Sequence, residues 1–88
     1  MDNESWKKMV EEQSLGEQLD WLIRSKDSWE RNSEERDQRV RYLRKYCIDS
    51  EKDKTERDIE YFQKEAEAQR ERYYWIIEYI ESNYVRKL

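Results

Sequence analysis

Residues 73–80, Tyr-Tyr-Trp-Ile-Ile-Glu-Tyr-Ile, form the only dense apolar run in a chain that is 45% charged, and they decide the fold. At about 100° per residue, most of its apolar residues fall in one helical stripe of the kind that a helix buries against a neighbour. The stripe consists of Tyr73, Ile76, Ile77, Ile80 and Tyr84. Trp75 and Tyr79 lie on nearly the opposite side of the helix. This helix therefore needs cover from more than one direction.

The composition predicts one small, entirely helical domain spanning residues 1–88. A chain of 88 residues has a marginal core unless it packs well or shares that core with a partner. Four Trp, seven Tyr and one Phe at helical spacings argue against disorder, because disordered chains are poor in aromatic residues. With one Gly and no Pro, the chain has little material for β-turns or phosphate-binding loops.

Charge and cysteine usage predict a soluble cytoplasmic protein that does not associate with membranes. The net charge is -4, which is too small and too unevenly distributed for a mimic of DNA. A single cysteine, Cys47, excludes an internal disulfide and fits a reducing compartment. The sequence has no apolar run of about 18 residues, and its acidic first residues differ from a signal peptide.

Three helices are expected, over residues 5–13, about 15–47 and about 51–86. Ser14 and Glu17 form a capping box in which the hydroxyl accepts from the Glu17 amide and the carboxylate from the Ser14 amide. Asn32 could cap a new helix, but a continuous second helix is favoured. Asp49 or Ser50 is the expected N-cap of the third helix.

Two apolar seams with alternating spacings of four and three residues predict how the long helices pair. The first seam is Leu15, Leu19, Leu22, Lys26, Trp29, Ser33, Arg36, Val40, Leu43 and Cys47. The second is Thr55, Ile59, Phe62, Ala66, Gln69, Tyr73, Ile76, Ile80 and Asn83. The seams match when the chain folds about residues 48–50. The predicted fold is therefore all-α: a long antiparallel, coiled-coil-like hairpin whose open end is covered by the short first helix through Trp6, Met9 and Val10.

The residues needed for the common catalytic mechanisms are missing, and we expect neither an enzyme nor a cofactor or metal site. Without histidine there is no Ser-His or Cys-His pair and no ordinary zinc site. Cys47 occupies a seam position, which favours a buried apolar role. Residues 49–60 place oxygen ligands at the spacing of an EF-hand loop, but Lys54 replaces the glycine of the sharp turn. Solvated acids at a helix start explain this segment better.

The basic, tyrosine-containing segment 36–46 is one candidate binding surface. It holds five bases and one acid, and bases interleaved with aromatic rings can bind phosphates and stack on nucleobases. Arg41, Lys45 and Tyr42 are its candidate contact residues. The alternative is structural: Arg39 and Arg44 face the acids of the third helix and would form ion pairs between the two helices.

Trp75 and Tyr79, with Tyr61 on a similar side of the third helix, are the other candidate. Either the first helix covers them, or they form an exposed aromatic patch of the kind that contributes most to partner binding. We therefore predict a protein-binding module that acts as an adaptor, regulator or inhibitor. Small inhibitors encoded by phages or other mobile elements have such sequences, and so do host regulators. The alternatives are nucleic-acid binding through segment 36–46 and a structural coiled coil that forms homodimers or larger assemblies.

Overall fold

The computed structural model describes residues 3–46 and 48–85, and it confirms the predicted helical hairpin. Helix α1 spans Asn3–Glu11, α2 spans Leu15–Lys45 and α3 spans Asp49–Ile80. A π-helical turn, Glu81–Val85, continues α3. The molecule measures 57 × 22 × 16 Å, because α2 and α3 lie antiparallel along each other. The predicted helix ends at Cys47 and Arg86 lie outside the described residues.

Ser14 starts α2 as predicted, with one difference in the hydrogen bonds. Its Oγ accepts from the Glu17 amide at 3.3 Å, which satisfies one of the free N–H groups of the first turn. The Glu17 carboxylate accepts from the Ser14 hydroxyl at 3.0 Å, whereas the capping box places that carboxylate on the Ser14 amide. The prediction of Asp49 or Ser50 as N-cap of α3 is wrong, because Ile48 occupies that position. Asp49 lies inside the first turn, where the helix dipole favours an acid.

Helix α2 runs without a break through Asn32, as predicted. The Asn32 side-chain amide donates to the Ser28 carbonyl one turn earlier, at 2.8 Å. Its polar group is therefore used within the existing helix and does not start a second one.

The core lies in a three-helix head at the open end of the hairpin. Trp6 and Val10 of α1 and Ile76 of α3 are almost completely buried together. Partly buried apolar residues pack around these three: Met9, Trp21, Leu22, Trp75 and Ile80. The predicted docking of α1 through Trp6 and Val10 is therefore confirmed.

The predicted seam is correct for α3 and wrong for the first turns of α2. The buried residues of α3 are Thr55, Ala66 and Ile76, which all belong to its predicted seam. The buried residues of α2 are instead Gln18 and Ser25. Three members of the predicted seam of α2 are exposed: Leu15, Leu19 and Lys26. The physical reason is that Gln18 faces inward to bind the end of α1, which rotates the leucines outward.

Polar contacts hold the two-helix stalk below the head. Arg36 Nη1 donates to Gln63 Oε1 at 2.6 Å across the hairpin. Arg39 forms an ion pair with Glu35 of its own helix, and its guanidinium lies 5.1 Å from the centre of the Phe62 ring. The expectation that Arg39 pairs with acids of α3 is therefore wrong. A guanidinium over an aromatic face contributes without needing an opposite charge on the facing helix.

Candidate functional site

Gln18 fixes α1 against the hairpin. Its side chain is completely buried, and its amide Nε2 donates to the Val10 carbonyl at 2.9 Å and to the Gln13 carbonyl at 3.1 Å. The last carbonyls of a helix have no partner within the helix, so Gln18 supplies one from α2. The sequence does not reveal this role, because a single glutamine beside a leucine seam carries no distinguishing pattern.

Trp6 brings the rings of all three helices together. Its ring lies 6.0 Å from that of Trp21 in an edge-to-face arrangement and 5.5 Å from that of Trp75. Trp75 in turn stacks on Tyr79, with ring centres 5.4 Å apart and planes only 17° apart. Such pairs contribute about 0.5–1.5 kcal/mol beyond their burial. The stacked Trp75–Tyr79 pair therefore packs against α1 through Trp6.

Tyr79 joins the end of α1 to α3. Its hydroxyl donates to the Glu11 carbonyl oxygen at 3.4 Å. Burial raises the pKa of Tyr79 above 10.0, and the nearby Glu11 and Tyr84 raise it further because a phenolate would face negative charge. Tyr79 therefore stays neutral at physiological pH.

A groove of about 620 Å³ opens between α1 and α3 beside these rings. We call it the aromatic groove. It is lined by Asn3, Trp6, Lys7, Glu67, Ala68, Arg70, Glu71, Arg72, Tyr74, Trp75 and Glu78. The lining carries three bases and three acids, so the groove has no net charge but offers both signs at its rim.

Two cations lie over the tryptophan rings of the groove. The Arg72 guanidinium is 4.6 Å from the centre of the Trp6 ring, and the Lys7 ammonium is 5.6 Å from that of Trp75. Trp6 itself is buried, whereas Trp75 and Tyr79 remain half-buried. Helix α1 thus covers part of the stacked pair, and the remaining aromatic surface faces the solvent.

The structure places the other predicted contact residues far from this groove. Tyr61 is 59% exposed on the stalk, fourteen residues and so roughly 21 Å from Trp75 along α3. Arg41 and Lys45 are exposed at the closed end of the hairpin, where the Tyr42 hydroxyl donates to Glu51 Oε2 at 2.8 Å. Of the six residues predicted to bind a partner, Trp75 and Tyr79 lie at the aromatic groove, and the other four lie away from it.

Within residues 3–46 and 48–85, no group of His, Cys, Asp and Glu side chains could hold a metal ion. Residues 49–60, which have the spacing of calcium ligands, form the first three turns of α3 and not a loop. None of the described helices has the length and apolarity needed to cross a membrane.

Comparison with protein-family models, with curated proteins and with solved structures finds no match to this chain.

Proposed function

We propose that this chain is a protein-binding module and that the aromatic groove holds a segment of another protein. The observation that carries the proposal is the stacked Trp75–Tyr79 pair, which is only half-buried and lies beside a groove. Tryptophan and tyrosine contribute most of the energy at many protein interfaces, because they bury a large area and lose few rotamers.

The shape and charge of the groove favour a peptide segment as its ligand. Its volume of about 620 Å³ lies within the range of pockets that hold a few side chains. Its lining holds both acids and bases, so a partner segment that carries both could place each of its charged side chains beside one of opposite charge. Binding a segment there costs the groove little conformational entropy. The contacts of Trp6 with Trp75 and with Arg72 already order one wall of the groove.

The same geometry argues for binding and against catalysis at this groove. A general base at neutral pH needs a pKa near 7, whereas the pKa of Tyr79 is raised above 10.0. The three acids of the lining, Glu67, Glu71 and Glu78, are exposed, and the lining contains neither histidine nor serine. The proposed role is therefore that of an adaptor, regulator or inhibitor.

Nucleic-acid binding through segment 36–46 has weaker support. Arg41 and Lys45 are exposed, as a phosphate contact requires. However, Arg36 pairs with Asp37, Arg39 pairs with Glu35, and Glu51 accepts from the Tyr42 hydroxyl. These acids would repel a phosphate backbone.

Charge reversal in the groove tests the proposal. The variant Glu71→Lys with Glu78→Lys changes the rim, and Glu56→Lys with Glu60→Lys makes the same change in charge on the stalk. All four glutamates are exposed, so we expect both variants to melt close to the parent. Tagged parent and variants are incubated with lysate from the native cells, and the retained proteins are identified by mass spectrometry.

The proposal predicts that parent and stalk variant retain the same protein and that the groove variant loses it. Equal retention by all three would contradict a role of the groove. Recovery of the chain alone, together with dimers in sedimentation, would instead favour the homo-oligomeric coiled coil.

A further inference from the structure

A second apolar surface lies on α2, and the aromatic groove does not include it. Leu15, Leu19 and Ile23 are 37%, 42% and 58% exposed. Residues four apart share one side of a helix, so these three form a continuous strip roughly 12 Å long. We call it the aliphatic stripe. Exposed aliphatic side chains in a row, as opposed to singly scattered ones, mark a surface that another element covers.

Helix α1 cannot cover this stripe. Leu19 and Ile23 are each two residues from Trp21 and therefore about 160° away from it around the helix axis. Trp21 makes the edge-to-face contact with Trp6 of α1. The stripe therefore faces away from α1, on the other side of the hairpin from the partner site proposed above.

The charges beside the stripe indicate what kind of partner fits it. Asp20, Asp27 and Glu30 are exposed and lie within about 60° of Ile23 around the axis, as does one base, Lys26. A second copy of α2 in this position would bring the same excess, three acids to one base, so like charges would outnumber opposite ones across the contact. A partner with basic flanks would find opposite charges along most of the edge.

We infer that the aliphatic stripe docks an amphipathic helix of another protein, one with apolar residues at four-residue spacing and Lys or Arg on its flanks. Such a helix becomes the fourth helix of the head and buries Leu15, Leu19 and Ile23 by helix-on-helix packing. The inference does not depend on the aromatic groove, and it gives the chain two binding surfaces on opposite sides of one head.

The test is a titration of isotopically labelled protein with two synthetic helical peptides, followed by NMR. Both peptides carry Leu at four-residue spacing; one has Lys on its flanks and the other has Glu. We expect the Lys peptide to shift the amides of residues 15–30 and to bind about tenfold tighter than the Glu peptide at low salt. The difference should shrink as salt screens the charges.

Two variants locate the binding. Leu19→Gln with Ile23→Gln changes exposed positions and keeps good helix formers, so it should fold and lose at least about tenfold in affinity. Tyr61→Gln, at a stalk position of equal exposure to Ile23, should bind like the parent. Equal binding of both peptides, shifts confined to the aromatic groove, or a parent dimer that the stripe variant makes monomeric would each overturn the inference.

Discussion

Replacing Gln18 by leucine should loosen α1 from the hairpin by a calculable amount. The change removes two hydrogen bonds, to the carbonyls of Val10 and Gln13. The Val10 carbonyl also accepts from the Gln13 backbone N–H at 3.1 Å, so it keeps one partner, and losing the second bond costs about 0.5–1.5 kcal/mol. The Gln13 carbonyl is less enclosed, and its loss costs roughly 0.5–1.5 kcal/mol. Leucine also removes Gln18 Oε1, a buried acceptor without a partner among the described residues, which offsets about 1 kcal/mol.

The expected net loss in the free energy of unfolding is therefore about 1 kcal/mol, or a melting point lower by roughly 4–8 °C. Urea unfolding followed by circular dichroism and tryptophan fluorescence measures it. The matched control is Gln38→Leu at an exposed position of the same helix, where the change should stay within about 0.5 kcal/mol. If the Gln18 variant were as stable as the control, the hydrogen bonds to α1 would not hold the head together.

Three further predictions follow from particular contacts. Ser14→Ala removes the acceptor of the Glu17 amide and should cost about 1 kcal/mol in urea unfolding, whereas Ser50→Ala, an exposed serine in α3, should cost less than half as much. Because folding raises the pKa of Tyr79 above 10.0, the stability from this group is complete below about pH 10 and is lost as the pH rises further. Unfolding of Tyr79→Phe should therefore depend less on pH above 10 than that of the parent, and an identical pH dependence would refute the raised pKa. Small-angle scattering of the monomer should give a radius of gyration near the 17.0 Å of the Cα trace, and a value near the roughly 12 Å of a compact domain would refute the hairpin.

The hairpin could be predicted from the sequence because α3 repeats its pattern over many turns. All three buried residues of α3, Thr55, Ala66 and Ile76, belong to the nine-residue seam that was predicted, and the other six are partly buried. The predicted buried side of α2 was wrong at the position where a polar residue has a hydrogen-bond partner on another helix. Hydropathy put Leu15 and Leu19 inside, but the buried residue is Gln18, since its side-chain amide donates to the carbonyls of Val10 and Gln13 at the end of α1. Such a partner lies on a different helix and leaves no periodic signal in the sequence of α2.

The candidate site was only partly foreseeable. The helical wheel placed Trp75 and Tyr79 off the hairpin face, and the structure shows that α1 covers them in part. The stacking of the two rings depends on where Trp6 enters the head, which the periodicity of α1 does not specify. The aliphatic stripe was missed because its leucines were assigned to the seam, and only their exposure reveals it.

Photo-crosslinking tests the proposed role of the aromatic groove most directly. A benzophenone amino acid replaces Glu71 in the groove lining or, as the control, Glu60 on the stalk; both positions are exposed on α3. After irradiation in the native cells, the groove position should yield one major covalent adduct with another protein, and the stalk position should not. The same adduct from both positions, or none from the groove, would contradict the account.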